Sequence, residues 1–269
     1  MFRKSFIFLP VMALALAACS GSGKTNSTAA STVGTQAGSA SGGSILAGGS
    51  APKDLGNALN LAIGTNSKPS VFASYHLELT LDLPKAKADF SGVVNEVTKI
   101  SADVQGKNIH IFKTDPGTTS PIEGFVIGDT GKEYKMVNGS PQAMIGQVAL
   151  SWSFWPLDVV VPYAYGVSLH AEKTGEESVN ERMATVYAFD SSKGDPAAIA
   201  AMSTGPIGLS QSKGTVWIDK ETGGMLKLTL DYITRVSNKE ATKSIGEGNG
   251  HIQLEVSNVG QTTVISPVK

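Results

Sequence analysis

The chain has 269 residues with 30 Gly, 12 Pro, one Cys and a formal charge of −1, yet every acidic residue follows Pro52 and only Arg3, Lys4 and Lys24 precede it. The remaining 217 residues carry 19 bases against 23 acids, a net charge of −4, which speaks against nucleic acid and against a polybasic membrane patch, since both need a basic face. A single Cys allows no intrachain disulfide, so a domain of this length must stand on its hydrophobic core.

Residues 1–18 have two early positive charges, an apolar run from Phe6 to Ala18 and small residues before Cys19, the pattern of a secretory signal peptide and too short for a comfortable membrane span. Leu16, Ala17, Ala18 and Cys19 resemble the bacterial lipobox, which predicts lipidation of Cys19 and attachment to a membrane on its extracytoplasmic side. Ser20 follows, so the aspartate that retains some lipoproteins in an inner membrane is absent. Residues 19–52 are dominated by Ser, Gly, Ala and Thr and cannot nucleate a core. They read as a tether reaching roughly 30 Å as a flexible coil. Gly21 to Thr25 mimic the end of a phosphate-binding loop, but the first glycine, the preceding strand and the following helix are missing. Residues 53–269 read as one domain.

Within it, Asp54 caps a predicted amphipathic helix carrying Leu55, Ala58, Leu59, Ala62 and Ile63. From Ser74 the period becomes two: Tyr75, Leu77, Leu79, Leu81 and Leu83 alternate with His76, Glu78, Thr80 and Asp82, a strand with one apolar and one wet face. Ile100, Ala102 and Val104 repeat this, Gly106 and Lys107 turn the chain, and Ile109 and Ile111 resume it as a hairpin. Further strands are predicted at residues 123–127, 133–137, 168–173, 183–189, 214–219, 225–232, 251–257 and 262–265. Two inserts interrupt them. After Asn138, Gly139, Ser140 and Pro141, residues Met144, Ile145, Val148, Trp152 and Trp155 recur near helical spacing until Pro156. Asp195 and Pro196 open a second short helix through Met202. About ten strands with a continuous apolar face must curl or be covered, around either a filled core or a cavity.

The order of these elements, with SYHLELTLDL at Ser74, EESVNERMATVYAFD at Glu176 and GTVWIDKETGGMLKLTLDY at Gly214, resembles the LolA/LolB-like fold and especially the LppX/LprG type of lipid-carrying lipoproteins, from about Asp54 to Pro267. The most specific pieces are Val216 to Asp219 and the turn from Glu221 to Gly224. In the turn at Asn180 the family often has Gly where this chain has Glu181. The resemblance implies a mainly β, α+β domain: a curved antiparallel half-barrel whose concave face is covered by short helices and encloses an apolar cavity for acyl chains. An inner wall of Tyr75, Leu77, Leu79, Leu81, Ile100, Val104, Ile109, Ile111, Phe125 and Ile127 would follow, with Met144, Val148, Trp152 and Trp155 as lid or mouth. Ordinary core packing is the alternative for each of them. Lipid carriage has a physical logic: exposing one acyl chain of ~16 carbons costs on the order of 10 kcal/mol at ~0.8 kcal/mol per methylene.

Catalytic and metal chemistry find little support. His76, His110, His170 and His251 all fall on the polar phase of predicted strands and no pair has ligand spacing. Glu78 and Asp82 beside His76 read as a solvated face, and no Ser sits in a nucleophile elbow. The sequence therefore points to a non-enzymatic, membrane-anchored lipoprotein that binds or carries a lipid or other amphiphile and needs no cofactor, metal or nucleic acid. The alternative is an envelope interaction or sensor protein that uses the same fold to bind a partner protein.

Overall fold

The computed structural model describes residues 70–128, 130, 132–144, 171–194, 208–238, 243–264 and 267, all within the unit Gly43–Lys269. The signal segment, Cys19, the tether, the helix expected from Asp54, the insert from Ile145 to Trp155, His170 and the helix from Asp195 lie outside the described residues.

The strands are β1 (Ser74–Ala86), β2 (Val93–Gln105), β3 (Asn108–Thr114), β4 (Ile122–Ile127), β5 (Lys132–Val137), β6 (Ser140–Ala143), β7 (Ala171–Val179), β8 (Arg182–Asp190), β9 (Leu209–Asp219), β10 (Met225–Asn238) and β11 (Lys243–Ser257). They form one antiparallel sheet in the order β6-β5-β4-β3-β2-β1-β11-β10-β9-β8-β7, whose edges among the described residues are β6 and β7. The domain is thus mostly β, and among the described residues the helical structure is a single 3-10 turn, Ser191–Lys193, after β8. Helices over one face, expected from the sequence, are not seen among these residues.

Several tight turns set the register. β2 and β3 are joined by Gly106 and Lys107, with Gln105 opposite Asn108 and Gly106 at φ 59°. Asn138 and Gly139, both at positive φ, join β5 to β6, as suits a two-residue hairpin whose turn must match the twist of its strands. Where the sequence suggested a turn and then a helix, Ser140–Ala143 returns as an edge strand. Pro141, which has no N–H to give, is tolerated there because β6 has no outer neighbour among the described residues. Met144 continues this run, its N–H bonded to the Glu133 carbonyl, and is therefore not helical. Thr262 to Val264, predicted as strand, are not strand: the Val264 N–H goes to the Gln105 side chain.

Cross-strand partners share a face, and the registers connect one apolar face. Leu77 lies opposite Ala102 and Val256, Leu79 opposite Ile100 and Leu254, and Leu81 opposite Ile252. Leu228 and Leu230 continue from Leu254 and Ile252, then Val216 from Leu228 and Tyr187 from Val216. These side chains are at most 2% exposed. The same face of β11 carries Gly246, Gly248 and Gly250, opposite Val236, Thr234 and Tyr232. A methyl group at Gly250 would overlap the Tyr232 ring, and one at Gly248 would overlap Pro84 and Val93. These glycines let neighbouring side chains occupy the space over β11.

The β7–β8 wing is not flat. Asn180, at its tip, donates through Nδ2 to the Val256 carbonyl at 2.9 Å and to Glu255 Oε1 at 3.1 Å. In a flat sheet, β8 and β11 would lie three spacings apart, roughly 14 Å. The tip therefore folds across the ends of β9 and β10. Nearby, buried Asp219 accepts from Arg182 Nε at 3.1 Å and Nη2 at 2.8 Å, and from the N–H and hydroxyl of Thr222. One carboxylate thereby fixes both the start of β8 and the β9–β10 turn.

Candidate functional site

The apolar face brings together most of the residues singled out from the sequence. Tyr75, Leu77, Leu79, Leu81, Ile100, Val104 and Ile111 are buried on it, and Ile109, opposite Val104, packs at its margin. Phe125 and Ile127 are the exceptions. Phe125 lies opposite His110, and His110 opposite Asp103, so Phe125 belongs to the polar face and Ile127 goes with it. In β4 it is Ile122, Gly124 and Val126 that face the same way as Ile111. The run Phe125, Val126, Ile127 has no polar alternation, so its phase is set by pairing with β3 and not by pattern. Met144 packs partly against the core; Val148, Trp152 and Trp155 lie outside the described residues.

Among the polar side chains on this face, which include Lys113, Thr185 and Ser212, three stand out. The Tyr75 hydroxyl is hydrogen-bonded to the Ser70 side chain, and burial pushes its pKa well above the usual phenol range. Glu133, opposite Val126, has Oε2 buried without a partner, and burial raises its pKa. Tyr187 is 2% exposed and its hydroxyl has no hydrogen-bond partner among the described residues; burial, and then the charge of Glu176, raise its pKa. Beside it on β7 stands Lys173, its cross-strand neighbour. Lys173 Nζ lies 3.0 Å from Glu176 Oε1, and Lys220 Nζ lies 2.6 Å from Oε2 of the same carboxylate. Those two bonds hold the pKa of Glu176 below its ordinary value. Tyr187 thus stands where the dry face meets a charged rim with two cations and one anion.

The opposite face is polar and ion-paired. His76 places Nδ1 2.7 Å from Asp103 Oδ1 and Nε2 2.9 Å from Glu78 Oε1. Burial opposes its charged form, but the hydrogen bonds to Asp103 and Glu78 outweigh this and raise its pKa. The Ser101 hydroxyl is 3.5 Å from Nε2 but donates to Glu78 at 2.7 Å. A Ser-His-Asp arrangement is therefore present in outline, with a carboxylate where substrate would have to enter; a productive triad needs the serine aimed at the base. His110 lies 2.9 Å from Glu123 and stacks on Phe125 with centroids 4.1 Å apart, and His251 pairs with Asp231. The expected polar placement of these three histidines is observed, although each is engaged with a carboxylate and not simply solvated. A hollow of about 330 Å³ on this side is lined by Glu172, Asp190, Lys193, Lys213 and Asp231 among others. No group of three His, Cys, Asp or Glu among the described residues is arranged to hold a metal ion.

No family model and no curated protein matches the chain. Among solved structures it is similar to the Mycobacterium tuberculosis lipoprotein LppX, with 16% identity and a TM-score of 0.39 over 72% of this chain and 90% of that one. It is also similar to LprF from Mycobacterium bovis, at 12% identity and a TM-score of 0.36, covering 74% and 90%, and to a LolA superfamily protein from Nitrosomonas europaea, at 10% identity and a TM-score of 0.25, covering 71% and 87%. These neighbours are of the LolA and LppX kind.

Sequence reasoning missed Tyr187, Glu133 and the glycines of β11. Gly246, Gly248 and Gly250 recur at period two, a signal available in the sequence once glycine is accepted as an inward residue. Tyr187 follows the apolar alternation and reads as core; only its unpartnered hydroxyl distinguishes it.

Proposed function

We propose that this protein is a membrane-anchored lipoprotein of the extracytoplasmic side that binds or carries a lipid or other amphiphile without catalysis. The observation that carries this reading is the apolar row that runs without a charged side chain from Ile100 through Leu79, Leu254 and Leu228 to Val216. A face of this breadth suits acyl chains, whose removal from a bilayer requires an apolar sheath. Curvature into a half-barrel would make that face concave, in line with the folded β7–β8 tip and the glycines of β11. Met144, Val148, Trp152 and Trp155 would then serve as lid or mouth. Cys19 would carry the acyl anchor, and residues 20–52 would give the domain its reach. Glu78 interposed between Ser101 and His76 favours a structural role for that cluster over hydrolysis.

The test is mass spectrometry of the gently extracted protein together with its uptake of labelled lipid from vesicles. Bound or acquired amphiphile is expected; absence of both would overturn the proposal. Replacing Cys19 by Ser should move the protein from the membrane to the soluble fraction.

A second reading, a partner-protein surface, is favoured by the exposed apolar side chains of the β1–β2 hairpin, where Phe90 is 49%, Val94 40% and Val97 41% exposed. Phe90 is also held at φ 56°, a conformation uncommon for a bulky residue.

A further inference from the structure

Tyr187 carries an inference that rests on the lipid-binding reading and gives it a direction. An aromatic ring suits its position between Thr185 and Phe189, opposite Val216, but phenylalanine would fill the same space without a hydroxyl. A buried hydroxyl with no partner is costly, because it loses water and gains nothing. Tyr75, another tyrosine on this face, is served by Ser70. On the β7 side of Tyr187, its cross-strand partner Lys173 is paired with Glu176, which is also paired with Lys220 in the turn after β9.

We propose that the Tyr187 hydroxyl is the specificity contact for the ester carbonyl of a bound acyl lipid, donating to the oxygen where the acyl chain joins the headgroup. The acyl chain then extends over Val216 and Leu228 toward the centre of the sheet, while the headgroup lies at the β7 edge beside Lys173 and Lys220. Its raised pKa keeps the phenol protonated, and so a donor, throughout the neutral range. Glu176 already accepts from both lysines, and because Glu172 and Glu177 face the other side of β7, the cluster of Lys173, Glu176 and Lys220 presents one net positive charge to a phosphate or other anionic headgroup. A carbonyl oxygen satisfies the hydroxyl in a dry setting, whereas an ether oxygen in the same place is a poorer acceptor.

The test uses the full chain and its Tyr187→Phe variant, each incubated with vesicles of phosphatidylglycerol whose chains are either ester- or ether-linked, with bound lipid measured by mass spectrometry. The original protein should favour the ester-linked lipid by about two- to tenfold, the range expected for one net hydrogen bond. The variant should hold both lipids at the ether-linked level, and when free of lipid it should melt no lower than the original. Retention of the ester preference in the variant would overturn the role of Tyr187, as would equal uptake of the two lipids by the original protein; lipid binding itself would survive either outcome. Uptake of neither lipid by the original protein would overturn both proposals together.

Discussion

At the scale of single residues, two carboxylates are held in opposite ways. Glu133 is pushed toward its protonated form by burial alone, so the folded state holds its proton more tightly than the unfolded chain does. That contribution to stability is present in full below the ordinary value of 4.5 and is lost as the pH rises through the raised one. Glu133→Gln should therefore melt higher than the original protein at neutral pH, with the gap closing toward pH 4; thermal unfolding across that range checks this, and a variant that melts lower at pH 7 would contradict it. Asp219 is the reverse. Burial opposes its charge, but Arg182 and Thr222 bind it and depress its pKa, so its contribution is present above the ordinary value of 3.8 and is lost as the pH falls through the depressed one. Asp219→Asn should cost about 2 kcal/mol in urea unfolding at pH 7, given its charge-assisted bonds to Arg182. The cost should shrink in acid.

At the scale of elements, strand interiors were legible where large apolar residues alternate with polar ones, as in β1, β8 and β10. They were not legible where alternation is broken by packing from outside the strand. The first half of β11 was passed over because glycine replaces the inward residues, and the first half of β2 because Val93, Val94 and Val97 follow no single phase. β6 was hidden by Pro141, a residue that excludes a central strand but not an edge. Gly250→Ala should cost about 2 kcal/mol, the usual scale for overpacking, since its methyl group would have to displace the Tyr232 ring; a neutral change in chemical denaturation would mean that the ring has room to move. The β7–β8 turn offers the opposite opportunity. Glu181 is exposed and sits at φ 67° beside Asn180 at φ 49°, in a two-residue turn that prefers glycine at its second position. Glu181→Gly should stabilise by about 0.5–1 kcal/mol, the cost of a left-handed conformation less the added freedom of glycine in the unfolded chain. Differential scanning calorimetry should show the higher melting temperature.

At the scale of the whole molecule, the candidate site was legible as a face but not as a place. Alternation in β1, β2 and β3 identified Tyr75 to Leu81, Ile100, Val104 and Ile111 as coplanar, whereas the errors at Phe125 and Ile127 came from a register fixed only by pairing. The decisive feature at Tyr187 is the absence of a partner, which no sequence pattern encodes. The sheet also has a centre and two margins, with β2, β1 and β11 in the middle and β6 and β7 outside. Amide hydrogen exchange should be slowest in the inner three strands and fastest in β6 and β7; equal protection across the sheet would contradict this. The margins are guarded against pairing with other chains, β6 by its shortness and Pro141, and β7 by Glu172, Lys173, Glu176 and Glu177. The pairing of β1 with β11 has a further consequence, for the order of assembly. The two innermost strands come from nearly opposite ends of the described sequence, so each half of the sheet can zip outward from its own hairpins, but the seam between them closes only after the final strand has emerged. Until then Leu77, Leu79 and Leu81 have neighbours on one side only. A chain passing through a membrane pore from its N-terminus would spend that interval with one side of β1 uncovered, and so would depend on an escort, or on rapid completion of its passage, to avoid aggregation.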